Sequence, residues 1–281
     1  KLSRSAEVWR RYRKSPTAMI GLAIILVIIL GAIFADIIVP YDYGIKQVIP
    51  DRLQGPSLKH LFGTDDLGRD LFSRVIHGSR SSLVLGILTT AVATLIGGFL
   101  GGICAYYGNR VDNIIMRLLD VITSIPSTLL SLSIVAALGP GIRNLVIAIT
   151  VSRVPTFARV IRSAVLNIVN QEYIEAAKAG GTRNLRIMLR HVYPNAMSPI
   201  IVQCTMSISQ LILQAAGLSF LGMGMQPPAP EWGALLNSAR DFMRTAPHLM
   251  LFPSIAIVLA ALAFNLVGDG LRDAFDPRLK S

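Results

Sequence analysis

A chain of 281 residues, 52% of them hydrophobic and only 15% charged, with a mean hydropathy of +0.56, is too apolar for a soluble domain, where roughly a quarter of residues are charged. The formal net charge of +11 raises nucleic acid as a partner, but the cations sit between apolar runs with no basic stripe of interleaved aromatics, which argues against that class. The two cysteines, Cys104 and Cys204, fall inside apolar segments, which points to packing rather than a disulfide framework.

In chain order, residues 1–17 form a basic segment in which Trp9 and Tyr12, among Arg10, Arg11, Arg13 and Lys14, predict an interfacial anchor. Residues 18–39 are an apolar run of about 20 residues, the length that spans a bilayer and too long for a signal-peptide core. No small-residue cleavage site follows, so the run is expected to be a retained membrane helix. Residues 40–82 read as a polar loop whose cations (Lys46, Arg52, Lys59, Arg69, Arg74, Arg80) are nearly balanced by Asp42, Asp51, Asp65, Asp66 and Asp70. His60, His77, Asp65, Asp66 and Asp70 lack the compact spacing of a metal site, and a solvated, hydrogen-bonded loop is expected.

Further spanning helices are predicted at 83–107, 114–138, 142–158, 198–221 and 249–268, six in all. Gly97, Gly98, Gly101 and Gly102 form overlapping small-xxx-small pairs, a device for close helix approach in lipid. Arg117 and Asp120, three residues apart, are positioned to pair on one helix face, with a place on a translocation path as the alternative. Arg153 has no acid three or four residues away; snorkelling near the inner surface is expected, with an interhelical partner or an aqueous path as alternatives. Pro126 and Pro155 predict kinks. Pro227, Pro228 and Pro230 with Glu231 and Trp232 predict a stiff external surface suited to receiving a solute-binding protein.

Most of the 27 basic residues fall in the N-terminal segment, at Arg110 and Arg117, in 159–190 and in the tail at Arg272, Arg278 and Lys280. The positive-inside rule then places both termini in the cytoplasm. Between the fourth and fifth helices this leaves a cytoplasmic segment, "EYIEAAKAGGTRNLRIMLRHVYPN" at 172–195. Tyr173 to Ala179 predict a short helix, Gly180 and Gly181 a break, and Thr182 the N-cap of a second helix running through Arg190 and ending at Pro194. Small residues rimmed by charge suit docking of another protein. A basic segment lying on anionic headgroups fits the pattern equally well.

Glu175-Ala176-Ala177, three residues, Gly181, and Pro194 thirteen residues on resemble the EAA loop of ABC importer permeases. "FGTDDLGRDLFSRVIHGSRSSL" at 62–83, "LSFLGMGMQPPAPEWG" at 218–233 and "FNLVGDGLRDAFDPRLK" at 264–280 are similar to the dipeptide, oligopeptide and nickel branch, specifically its C-type subunit. His191 and Tyr193 stand where the loop often has Ile and Leu, and Arg153-Val154-Pro155 replaces an aromatic common before the loop. The resemblance implies an all-α type I importer permease fold of six transmembrane helices, in a bacterial or archaeal cytoplasmic membrane. It implies ATPase coupling by Glu175, Ala176, Ala177, Gly180, Gly181, Thr182 and Arg183 within a loop at about 159–197, inside a permease core of 83–268 followed by a cytoplasmic tail at 269–281. Implied partners are a homologous second permease, two cytoplasmic ATPases that bind ATP and Mg, and an extracytoplasmic solute-binding protein.

The residues themselves contain no phosphate-binding G-x-x-x-x-G-K-[ST] loop, no H-E-x-x-H and no G-x-S-x-G, so no catalytic role is assigned. The expected solute is a di- or oligopeptide, with a nickel chelate as the alternative. A secondary transporter is a weaker rival, since no internal repeat is evident.

Overall fold

The computed structural model describes residues 4–276; Lys1, Arg278 and Lys280, which belong to the basic termini, lie outside the described residues. Helix α1 (Arg4–Tyr12) leads to α2 (Pro16–Ile33). Ser15 caps α2 by accepting the Ala18 N–H, and Pro16 occupies the first turn, where a missing N–H is no loss. The expected run to residue 39 is interrupted at Phe34, after which come α3 (Ala35–Ile38) and α4 (Tyr41–Ile45).

Helix α5 (Leu71–Tyr107) begins at Leu71 rather than 83, because the Asp70 carboxylate accepts the Ser73 N–H at 2.8 Å. Its 37 residues rise about 55 Å against an apolar core of about 30 Å. The polar first turns, which read as loop in the sequence, are therefore helix projecting beyond the bilayer.

The predicted span at 114–138 is not one helix. It is α6 (Asn109–Thr123) and α7 (Ser127–Leu138), bent by 81°. Pro126 has no N–H to extend α6, and the Thr123 and Ser124 hydroxyls bond back to Asp120 and Val121 carbonyls at 3.1 and 2.7 Å. Helix α8 (Ile142–Val169), by contrast, continues through Pro155. Beyond it come α9 (Glu172–Ala179), α10 (Asn184–Ile187), a π-helical turn at Met188–Val192, α11 (Tyr193–Phe220), α12 (Trp232–Ala239) and α13 (His248–Phe275). Among the described residues, five helices are long and apolar enough to cross a membrane, or six when α6 and α7 count as one broken span.

The central seam joins α5 to α8. A Cβ on Gly97 would lie 2.6 Å from the Phe157 Cβ and 2.9 Å from the Ala158 nitrogen, and one on Gly101 would overlap the Ala158 carbonyl. The glycine repeat is thus a packing device. Around this seam, α8 packs on α7 and α11, α11 on α13, and α13 on α2. Leu85, Leu145, Ile149 and Leu211 fill one buried cluster; Ile25, Ile212, Ile257 and Phe264 fill another.

We call the end bearing α1, α9 and α10 basal, and the end bearing residues 40–70 and 221–247 apical. Several charges at the apical end are satisfied internally. The Asp65 carboxylate takes the Leu67 and Arg69 N–H groups at 2.9 Å and the Arg69 Nε at 2.7 Å. Arg74 donates to the Gly44 carbonyl at 2.9 Å, and Arg80 binds Asp36 at 2.9 Å. His60 Nδ1 sits 2.9 Å from Asp70, and His77 Nε2 2.9 Å from the Val39 carbonyl.

Two expected surface features lie elsewhere. Pro227 and Pro228 are exposed, but Glu231 and Trp232 are buried. Glu231 caps α12 through the Gly233 and Ala234 N–H groups, and the Trp232 Nε1–H donates to the Val75 carbonyl at 2.9 Å. Burial pushes the Glu231 carboxyl above its usual range despite these donors. At the basal end Tyr12 is buried and bonds the Ala18 carbonyl at 3.1 Å, leaving only Trp9, stacked on its ring, exposed.

The seam sets a sharp expectation. Gly101→Val should lower the thermal midpoint of the detergent-solubilised protein by the effect of about 1–3 kcal/mol of overpacking. Gly31→Val, with nothing within 4 Å of its Cβ, should leave it unchanged; equal midpoints for the two variants would refute the seam.

Candidate functional site

The segment joining α8 to α11 is built from helix-end chemistry. Glu172 and Glu175 lie in the first turn of α9 and Lys178 in its last, which matches the helix dipole. The helix closes with the Gly181 N–H on the Lys178 carbonyl at 3.0 Å and the Thr182 N–H on the Ala177 carbonyl at 3.1 Å. That pair of bonds is a Schellman motif, and it needs Gly181 in the left-handed region, where its φ is +76°. Thr182 is therefore not the N-cap of the next helix, because its backbone finishes the previous one. Arg183 takes the N-cap position, without a side-chain bond.

Nor does the second helix stop at Pro194. The Tyr193 N–H bonds to the Met188 carbonyl, five residues back. The wider π turn ahead of Pro194 lets the chain pass a ring that would otherwise press on the Arg190 carbonyl, so the basal segment runs without a joint into α11.

The segment is anchored from within. Ile174 and Ile187 are fully buried with Val165 and Val192, and Ala177 packs against them. The Tyr106 hydroxyl donates to Asn184 Oδ1 at 2.8 Å while Lys178 Nζ lies 5.0 Å above the Tyr106 ring. The Tyr193 hydroxyl donates to the Gly98 carbonyl at 3.0 Å, tying the segment to α5.

What remains outward is Glu175, Ala176, Gly180, Gly181 and Arg183, all exposed, with Ala177 and Thr182 half-buried. Among the described residues, Glu175, Arg183, Arg186 and Arg190 form no ion pair. Sequence reasoning did not single out Leu185 and Leu189, which are 70% and 61% exposed in the same segment as the half-exposed Tyr173. Their signal was two leucines four residues apart, one helical turn, in an otherwise basic stretch.

The candidate path residues are arranged differently from expectation. Asp120 pairs with Arg159 at 2.9 Å, and Arg117 is exposed without an ion pair among the described residues. The break before α7 lays α6 along the basal half of α8, so its acids face that helix: Asp112 is also held by Arg162, whose Nε lies 2.6 Å from Oδ1.

Arg153 lies eleven residues into α8 and has the interhelical partner that the sequence left open. Its Nε and Nη2 donate to Gln214 Oε1 at 2.8 and 2.6 Å. Gln214 Nε2 donates to the Ser131 hydroxyl at 3.2 Å, which lies 2.9 Å from Ser152. A cation in an apolar helix bundle is costly to leave unmatched, and among the described residues no carboxylate lies within 4.0 Å to offset it.

Residues 93–281 match the family model described as binding-protein-dependent transport system inner membrane component, and residues 3–56 match the N-terminal TM domain of oligopeptide transport permease C. The chain is 46% identical over 275 residues to the dipeptide transport system permease protein DppC of Alkalihalophilus pseudofirmus, covering 98% of this chain and 90% of the relative. It is 46% identical over 274 residues to the glutathione transport system permease protein GsiD of Shigella sonnei, with the same coverage. An inward-facing structure of the MetNI methionine ABC transporter superposes with a TM-score of 0.58 at 18% identity, over 73% of this chain and 98% of that one, a likeness of fold. Two family models falling in order on one apolar, multi-pass helical chain, with such identity along nearly its whole length, show that it belongs to the ABC importer inner-membrane permeases of the dipeptide, oligopeptide and nickel family, as a C-type translocation subunit.

Proposed function

We propose that this permease carries di- or oligopeptides through the membrane, driven by separate ATPase subunits that engage the segment between α8 and α11. The observation that carries the coupling role is the exposed turn at Gly180–Gly181, flanked by unpaired Glu175 and Arg183 and braced from beneath by Ile174 and Ile187. A push on this turn is transmitted, because the segment is continuous with α11. The dipeptide and glutathione carried in the relatives' names are both peptidic, which favours peptides over a nickel chelate.

In this reading the basal end and both termini face the cytoplasm. Its unpaired cations fit that side, while the apical cations Arg69 and Arg80 are matched by Asp65 and Asp36. A homologous permease pairs with the chain, two ATPases holding ATP and Mg dock below, and a solute-binding protein delivers peptide at the apical end. ATPase closure moves the coupling segment and biases the bundle between its two accessible states.

Three outcomes test the proposal. ATPase activity of the reconstituted importer should rise when the loaded binding protein carries peptide and stay basal with a nickel chelate; the reverse pattern would move the assignment to the metal. Gly180 has an ordinary helical φ of −72° and a Cβ there would meet only the Ala176 and Ala177 carbonyls, at 3.4 and 3.7 Å, so with Gly180→Asp the chain should fold while ATP-dependent uptake drops at least about tenfold, the effect of about 1.4 kcal/mol at an interface. Normal uptake at normal complex yield would sink docking at this turn. A Leu185→Ala, Leu189→Ala double variant should release the ATPases during purification and leave the permease intact; full retention would show that the two leucines are not anchors.

A further inference from the structure

Arg153 is an incompletely used cation. A guanidinium presents five N–H donors in a planar fork, and the only bonds of Arg153 among the described residues go to one oxygen, Gln214 Oε1, at 2.8 and 2.6 Å. Its Nη1 edge has no partner there, and the residue is half-buried rather than enclosed. Gln214 is itself held in place, since its Nε2 is engaged by Ser131, which sits between Ser152 and the Ser127 carbonyl. The network spans α7, α8 and α11 and aims a neutral acceptor at the guanidinium.

A neutral acceptor orients the cation without cancelling its charge. A glutamate of nearly the same shape at 214 would do both, and would be the better partner if the contact served packing alone. The arrangement instead leaves one positive charge uncompensated midway through the bundle, with a planar edge free to take a carboxylate through two parallel bonds.

We infer that Arg153, oriented by Gln214, binds a carboxylate of the solute in transit, the C-terminal carboxylate of a peptide. The inference rests on the proposed peptide substrate, since every peptide with an unblocked C-terminus brings this group. A solute anion completes the charge balance that the protein leaves open and makes Arg153 a specificity-determining residue of the path.

The test uses the complete importer in liposomes, with the binding protein brought to equal occupancy by trialanine, by its C-terminal amide, or by the amide of alanyl-aspartyl-alanine. Wild type should import trialanine at least about tenfold faster than its amide, the scale of a charged hydrogen-bonded contact. Arg153→Gln should bring that ratio close to one, and Arg153→Lys, which keeps the charge but not the two parallel bonds, should keep only part of it. Gln214→Glu is the decisive variant, since it strengthens the contact but neutralises the cation: the ratio should collapse while the thermal midpoint holds or rises. A ratio preserved in Arg153→Gln or in Gln214→Glu overturns the inference, and the second variant decides alone where the first does not assemble. Import of the aspartyl amide at the rate of trialanine extends the site to side-chain carboxylates, and exclusion of that amide confines it to the C-terminus. Absence of ATP-driven trialanine import by wild type would overturn the peptide reading itself.

Discussion

The contact of α5 with α8 through Gly97 and Gly101 positions most of the polar chemistry of the molecule. Lipid tails are as apolar as leucine, so helices in a bilayer gain little by hiding apolar side chains from lipid and must gain by close, extensive contact. Glycines that bring the backbone of one helix against Phe157 and Ala158 of the other meet this requirement. Once α8 is placed, Arg159 and Arg162 reach the acids of α6, Arg153 reaches Gln214 on α11, and the end of α8 launches the basal segment.

The two ends of the bundle handle charge in opposite ways. At the apical end several charged groups are spent on cohesion: Asp65 gathers three donors, Asp70 caps α5 while holding His60, and Arg80 clasps the end of α2 through the Ala32 carbonyl. At the basal end Glu175, Arg183, Arg186 and Arg190 stand unpaired among the described residues, around exposed leucines. A surface whose polar groups are already satisfied is a scaffold, whereas one with free charge around an apolar centre has the composition of an interface.

The same polar chemistry is used a third way along α8. Arg162 and Arg159 are matched by Asp112 and Asp120 and hold α6 in place. Arg153, a few residues away on the same helix, meets an amide instead. Three arginines of one helix thus divide between structural pairing and a charge left available, and only the identity of the partner separates the two.

Much was legible in the sequence: the membrane class, the number of apolar segments, the packing role of the glycines and the outline of the basal segment, because all depend on local length, composition and periodicity. Gly181 was legible as a helix breaker for the same reason, since a left-handed position is a property of one residue and its neighbours. Thr182 misled because an N-cap residue and the closing residue of a Schellman motif look alike until the backbone bonds are known. Proline misled in both directions. At Pro126 the helix breaks outright, while at Pro194 a π turn lets it continue, and which occurs depends on where the flanking segments pack. Partner choice was beyond the sequence altogether: three-residue spacing pointed Asp120 at Arg117, but the 81° bend turned it to Arg159, 39 residues distant. The sequence alone determined which segments are apolar enough to enter the bilayer and where the Gly180–Gly181 turn breaks the basal segment, since transfer into lipid and a left-handed glycine are set within a few turns. Only the tertiary structure decided which charges are cancelled and which are left free, because that depends on contacts between residues far apart in the chain.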